Sequence, residues 1–175
     1  MVRRYIAIFP TIPAHDPIVG LRQQYDPLGY LVRPHITLVF PFESTLSKMQ
    51  VSGHVQDVLR QVRSFSVSLD AVSIHDDYVF LNASEGRSAI IELHDRLYGG
   101  LLAPYLRSDI PYLPHMTVAR CADPSALQRA YDLAVSLPRP YKFQVDRIQS
   151  MLIEANERME EFESSISLAV TPNKS

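Results

Sequence analysis

A chain of 175 residues, 46% hydrophobic and 21% charged with a formal net charge of −2, has the size and composition of one globular domain or two small lobes sharing a core. No apolar run approaches the ~20 residues that span a bilayer, and no basic stripe of the kind that grips long nucleic acid is visible, so neither a membrane nor a long duplex is expected as a partner. The single cysteine, Cys121, excludes an intrachain disulfide and fits a reducing, cytoplasmic setting.

The opening MVRRYIAIFP carries too short an apolar stretch for a signal-peptide core, and YIAIF, Tyr5 to Phe9, reads as a first strand. Asp16 can cap and Pro17 can open a helix, with Ile18, Leu21 and Tyr25 at helical spacing. The loop DPLGYLVRP leads into RPHITLVF. Ser47 and Gln50 then form a capping box, followed by Val51, Val55, Val58, Leu59 and Val62 on one helical face. FSVSLDAVSI reads as a strand.

The same order then recurs. YVFLN, Tyr78 to Asn82, is a strand, and SAIIELHDRLYGGLL is a helix with Ile90, Leu93, Leu97 and Leu101 on one side. APYLRSDIPYLP leads into LPHMTVAR. Asp123-Pro124 is a second cap and opening pair, ahead of Leu127, Ala130, Tyr131 and Ala134. YKFQVDRIQSMLIEA and EEFESSISLAV read as two final strands around a turn at Asn156-Glu157. The expected fold is α/β (α+β), bilobal and duplicated: lobes of about 1–76 and 77–170 related by a pseudo-twofold axis, each with a mixed or antiparallel sheet flanked by helices, around a central cleft. Residues 171–175 are expected to be a disordered tail, and the protein a monomer.

Pro-His-(apolar)-Thr-(apolar) is thus written twice, at Pro34 to Leu38 and Pro114 to Val118. In a strand, residues i and i+2 share a face, so His35 projects with Thr37 and His115 with Thr117. A neutral imidazole can take a proton from a nucleophile, and a protonated one can give a proton to a leaving oxygen. Two threonine hydroxyls can donate to the oxygens of a phosphodiester held between them. One copy of His-x-Thr is more often a plain hydrogen-bonded pair; the double copy is what points to chemistry.

His35-Ile36-Thr37-Leu38 and His115-Met116-Thr117-Val118, with the spacing between them, resemble the 2H phosphoesterase superfamily, the group of bacterial 2′-5′ RNA ligase-like proteins and cyclic phosphodiesterases. The resemblance implies a bilobal fold with both motifs facing the cleft, and metal-independent attack on 2′,3′-cyclic or 2′-5′ phosphodiesters of RNA ends or small cyclic nucleotides. It implies no cofactor, His35 and His115 as acid and base, and Thr37 and Thr117 on the phosphate. Arg120, following the second motif, resembles an arginine of the ligase-like branch and would join the phosphate; a solvated strand-end charge is its other role. Strict alternation from His115 puts it on the wrong face, so the strand must end or twist there. Phe40 stands at the matching place of the first motif, within VFPF rather than the Arg-Phe-Leu-Gly continuation of that branch.

Tyr30, Phe40 and Tyr112 flank the motifs and are candidates to stack on a base, with ordinary packing as the alternative. Arg33 is either a phosphate contact at the rim or a loop charge. His15, His54, His75 and His94 show no metal-ligand spacing, and surface or capping roles suffice for them. Cys121 reads as a structural thiol. The alternative to an enzyme is a module that binds RNA ends or a phosphorylated metabolite without turnover; a balanced pair of histidines favours the enzyme.

Overall fold

The last five residues of the first strand, β1 (Val2–Ile8), are all buried, the pattern of a strand covered on both faces. Ile6 and Ile8 join the main core, while Tyr5 and Ala7 join a second cluster with Met151, Phe9 and Ile153. The computed structural model describes residues 1–153 and 159–168. The expected turn at Asn156-Glu157 and the tail 171–175 lie outside these residues.

The remaining strands are β2 (Ile36–Ser44), β3 (Phe65–His75), β4 (Tyr78–Ala83), β5 (His115–Arg120), β6 (Tyr141–Val145), β7 (Arg147–Ile153) and β8 (Met159–Ser167). They form one sheet in the order β6-β3-β4-β5-β2-β1-β7-β8. Every pairing is antiparallel. This corrects the expectation of two sheets. β3 pairs with β4 and β6, and β7 returns from the far end of the chain to pair with β1.

The expected single strand over YKFQVDRIQSMLIEA is two strands parted at Asp146. No glycine or proline marks the break; it exists because the two pieces pair with different partners. The strand order sets β6 and β7 six places apart, about 29 Å across a flat sheet. One intervening residue reaches only about 7 Å between flanking Cα atoms. The sheet therefore curls until its β6 edge meets β7, and the Asp146 carbonyl accepts from the Leu168 amide at 2.8 Å.

Among the described residues four helices cover the sheet: α1 (Pro17–Tyr25), α2 (Lys48–Leu59), α3 (Arg87–Leu97) and α4 (Pro124–Ser136). Their starts follow the sequence signals. Asp16 accepts from the Ile18 amide ahead of Pro17, Asp123 accepts from the Ala126 amide ahead of Pro124, and Ser47 and Gln50 close a reciprocal capping box. The expected helix over 88–102 is cut short. Gly100 adopts φ +56, and the chain resumes as a 3₁₀ helix over Gly100–Tyr105, because paired glycines release the backbone into a region closed to other residues. No described helix is long and apolar enough to cross a membrane.

Candidate active site

The two motif strands meet at the centre of the sheet, where Ile36 pairs with Met116. Both are fully buried in the main core. Side chains alternate along a strand, so the flanking residues project from the opposite face. Continuing the antiparallel register by one residue each way sets His35 opposite Thr117, and Thr37 opposite His115. The four side chains form a square, with imidazoles on one diagonal and hydroxyls on the other, about 7–8 Å apart by the diagonal spacing of antiparallel sheets. All four are partly buried.

Each imidazole is held in the same way. His35 Nδ1 lies 2.8 Å from the Arg33 carbonyl, and His115 Nδ1 lies 2.6 Å from the Leu113 carbonyl. The intervening residue is proline in both, and its fixed φ helps aim the preceding carbonyl at the ring. A carbonyl only accepts, so Nδ1 is the donor in both rings and Nε2 is left for a ligand. Tyr5 and Phe9 flank His35 with ring centroids at 5.5 and 5.4 Å, and Phe80 stacks on His115 at 3.6 Å. Burial lowers His35 to about 4 against the lift of its carbonyl bond, with the charges of Arg22 and His115 also lowering it. Burial likewise lowers His115 to about 4, with help from His75. Both rings are neutral at rest near pH 7.

Two buried clusters fix the approaches to the motifs. On the first side Arg22 bonds Asp26 at 2.8 Å and donates to the Val32 carbonyl at 2.6 Å, pinning the loop before His35. On the second side Tyr112 donates its hydroxyl to the Thr37 carbonyl at 2.8 Å, and its ring stacks flat on His94 at 3.6 Å. His94 Nδ1 in turn donates to the Leu38 carbonyl at 2.7 Å. The loop ahead of one motif is thereby tied to the strand of the other. The i, i+4 spacing of Arg22 and Asp26 on α1 is a signal that sequence reasoning passed over. His94 is buried, which corrects the surface or capping role expected for it.

The remaining candidates fall in different places. Arg120 does share the motif face. Between the pairs Phe80↔Thr117 and Val79↔Ala119, β5 carries one extra residue, and the bulge returns Arg120 to the side of Thr117. There its guanidinium binds Asp77 at 3.0 Å and lies over the Tyr78 ring at 5.0 Å. Phe40 and Tyr112, candidates either to stack on a base or to pack, lie against each other and against His94. Tyr30 is 77% exposed on the loop after α1. Arg33 lays its guanidinium over Phe9 and donates to Gln149 at 3.0 Å. The Cys121 thiol donates to the Tyr25 carbonyl, and burial raises its pKa, away from the reactive thiolate. Among the described residues, no three His, Cys, Asp or Glu side chains converge as a metal-binding group.

A family model of the 2′-5′ RNA ligase superfamily matches residues 10–157. A provisionally named phosphoesterase of Bacillus licheniformis is 27% identical over 121 residues, covering 66% of this chain and 69% of its own. One from Geobacillus sp. is 26% identical over 125 residues, covering 66% and 67%. Among solved structures, E. coli LigT without ligand aligns with a TM-score of 0.61 at 20% identity, over 96% of this chain and 98% of that one. LigT complexed with 3′-AMP aligns with a TM-score of 0.60 at 21% identity, over 95% and 98%. A further phosphoesterase structure aligns with a TM-score of 0.64 at 21% identity, over 97% and 99%. At these identities the solved structures establish the shared fold, and the family model with the phosphoesterase relatives establishes the kind of enzyme. This chain belongs to the 2′-5′ RNA ligase superfamily and is a phosphoesterase of the 2H group.

Proposed function

We propose that the chain is a metal-independent phosphodiesterase that opens 2′,3′-cyclic phosphates, or cleaves 2′-5′ diesters, of RNA ends or small nucleotides by two-histidine acid–base catalysis. The observation that carries this is the square of His35, Thr37, His115 and Thr117, with both Nδ1 atoms committed to carbonyls and both Nε2 atoms left over. One Nε2, neutral, accepts a proton from water as the water oxygen bonds to phosphorus. The bond from phosphorus to the ribose oxygen breaks, and the other imidazole, protonated, gives its Nε2 proton to that oxygen. Each turnover exchanges one proton between water and the product and leaves the pair with one proton shared. Thr37 and Thr117 donate to the non-bridging oxygens, and Arg120, released from Asp77, adds a guanidinium at the rim. E. coli LigT has been crystallised with 3′-AMP, and 3′-AMP is one of the two products of opening adenosine 2′,3′-cyclic phosphate.

The same reading takes the two sides of the β2–β5 seam as copies of one ancestral half, with β1 and β4 as matching neighbours of the motif strands, in a cytoplasmic monomer. The experiment is hydrolysis of a nucleoside 2′,3′-cyclic phosphate in EDTA. Turnover that survives chelation supports the proposal. Turnover lost in EDTA and restored by a divalent ion points to metal-assisted hydrolysis in its place.

A further inference from the structure

The square of histidines and threonines straddles one seam of the sheet, and that seam is short. β2 runs along β1 from Ile36 to Ser44, and β5 runs along β4 from His115 to Arg120. Between β2 and β5, among the described residues, Ile36↔Met116 is the one registered pair. The sequence supplies the reason. Two residues beyond that pair, Leu38 falls opposite Pro114 in one direction and Val118 falls opposite Pro34 in the other. Proline has no N–H to give to a ladder, so the prolines that open both motifs also stop their strands from zipping together.

Past Ile36 the backbone of β2 finds partners among side chains from the second half of the chain. The Thr37 carbonyl accepts from the Tyr112 hydroxyl at 2.8 Å, and the Leu38 carbonyl accepts from His94 Nδ1 at 2.7 Å. The Phe40 N–H donates to the Tyr98 hydroxyl at 2.9 Å. His94 and Tyr98 stand four residues apart at the C-terminal end of α3, on one helical face. The three side chains also hold one another. The His94 and Tyr112 rings stack at 3.6 Å and 6°, and Tyr98 meets His94 at 4.9 Å and 66°.

Hydrogen bonds of this kind are directional, and apolar packing is not. A slide of β2 against α3 breaks these bonds together, where a purely apolar contact would tolerate it. His35 and Thr37 ride on β2, and His115 and Thr117 ride on β5, so the gap between the two imidazoles is a property of this seam. We propose that Tyr112 and His94 are positioning residues: by bonding the Thr37 and Leu38 carbonyls they hold the two motif strands at the spacing that lets both imidazoles reach one phosphate. They act through the backbone of β2 and not on the substrate. The proposal rests on the phosphodiesterase reading and adds to it the device that sets the geometry of the acid–base pair.

The test follows hydrolysis of adenosine 2′,3′-cyclic phosphate by the wild type, Tyr112→Phe, His94→Leu and His94→Asn. Tyr112→Phe and His94→Leu should each lower kcat about tenfold or more, since a misplacement of about 1 Å at the reacting atoms costs about 100-fold. KM should move far less, because each half keeps its own His–Thr pair for the phosphate. His94→Asn, which keeps an N–H donor on the same branch of the side chain, should recover part of the loss. In a His115→Ala background no pair is left to space, so adding Tyr112→Phe should cost nothing more. Amide hydrogen exchange supplies a readout without turnover: in Tyr112→Phe the seam amides of Ile36, Phe40 and Met116 should accelerate by a larger factor than those of β3 and β4. Circular dichroism checks folding, and Tyr112→Phe carries the test if His94→Leu does not fold. Wild-type kcat in Tyr112→Phe, an equal loss in the His115→Ala background, or exchange accelerated uniformly over the sheet would overturn the proposal. No turnover by the wild type would count against the phosphodiesterase reading, and the exchange pattern then decides by itself whether these side chains hold the seam.

Discussion

Phosphate binding should raise the pKa of one of the two histidines by about three units, because the resting site holds too few protons to work as it stands. Burial puts both rings at about 4. At pH 7 a ring with that pKa is protonated in about one molecule in a thousand, and the proposed mechanism needs one of them charged. Bringing one ring to half-protonation at pH 7 requires about three units, or about 4 kcal/mol. A phosphate charge about 4 Å from the imidazolium, at the effective dielectric of a site near the surface, supplies about 4 kcal/mol. The two figures match, so the proposed mechanism expects the substrate itself to supply the field that charges the acid. The second ring, next to a new imidazolium, stays neutral and serves as the base. The assay is a pH titration of the imidazole Cε1–H resonances by NMR, free and saturated with inorganic phosphate. Both free rings should titrate near 4, and exactly one should move towards 7 in the complex. The kcat profile, which reports the complex, should then show a limb near neutrality that the kcat/KM profile of the free enzyme lacks. Free rings titrating between 6 and 7, or no ring moving at saturating phosphate, would refute the reasoning.

His35→Ala and His115→Ala should each cost about 100-fold or more in kcat, with the double variant little worse than the poorer single one, because the pair acts as a unit; near-wild-type turnover in either folded single variant would sink the mechanism. Thr37→Ala and Thr117→Ala should lose less, each removing one hydrogen bond and leaving proton transfer intact, as steady-state kinetics would show. Tyr112→Phe keeps the stack on His94 and deletes the bond to the Thr37 carbonyl, so it should lower stability by about 1 kcal/mol in urea unfolding. Acid should weaken the fold through the two histidines. Their native pKa lies below the unfolded 6.5, so the unfolded chain takes up protons first, and stability is full above pH 6.5 and falls as pH drops towards 4. Urea midpoints across that window should flatten in the doubly substituted His35→Gln, His115→Gln protein.

Local order follows from the residues alone. Asp16-Pro17, Ser47 with Gln50, and Asp123-Pro124 opened helices where they stand, because a cap is satisfied within three residues. The pairing of His35 with Thr37, and of His115 with Thr117, was equally legible, since alternation along a strand needs no knowledge of its neighbours. Long-range strand pairing sets Ile36 opposite Met116, and so makes the two motifs one square rather than two distant pairs. It decided that a bulge returns Arg120 to the motif face, and that Tyr112 and Phe40 lie against His94. It also decided that β6 and β7, separated by one residue, belong to opposite regions of one curled sheet. These outcomes depend on which strands pair and in what register. That choice is made by the burial of side chains distant in sequence, a sum over the whole core that no short stretch of residues contains.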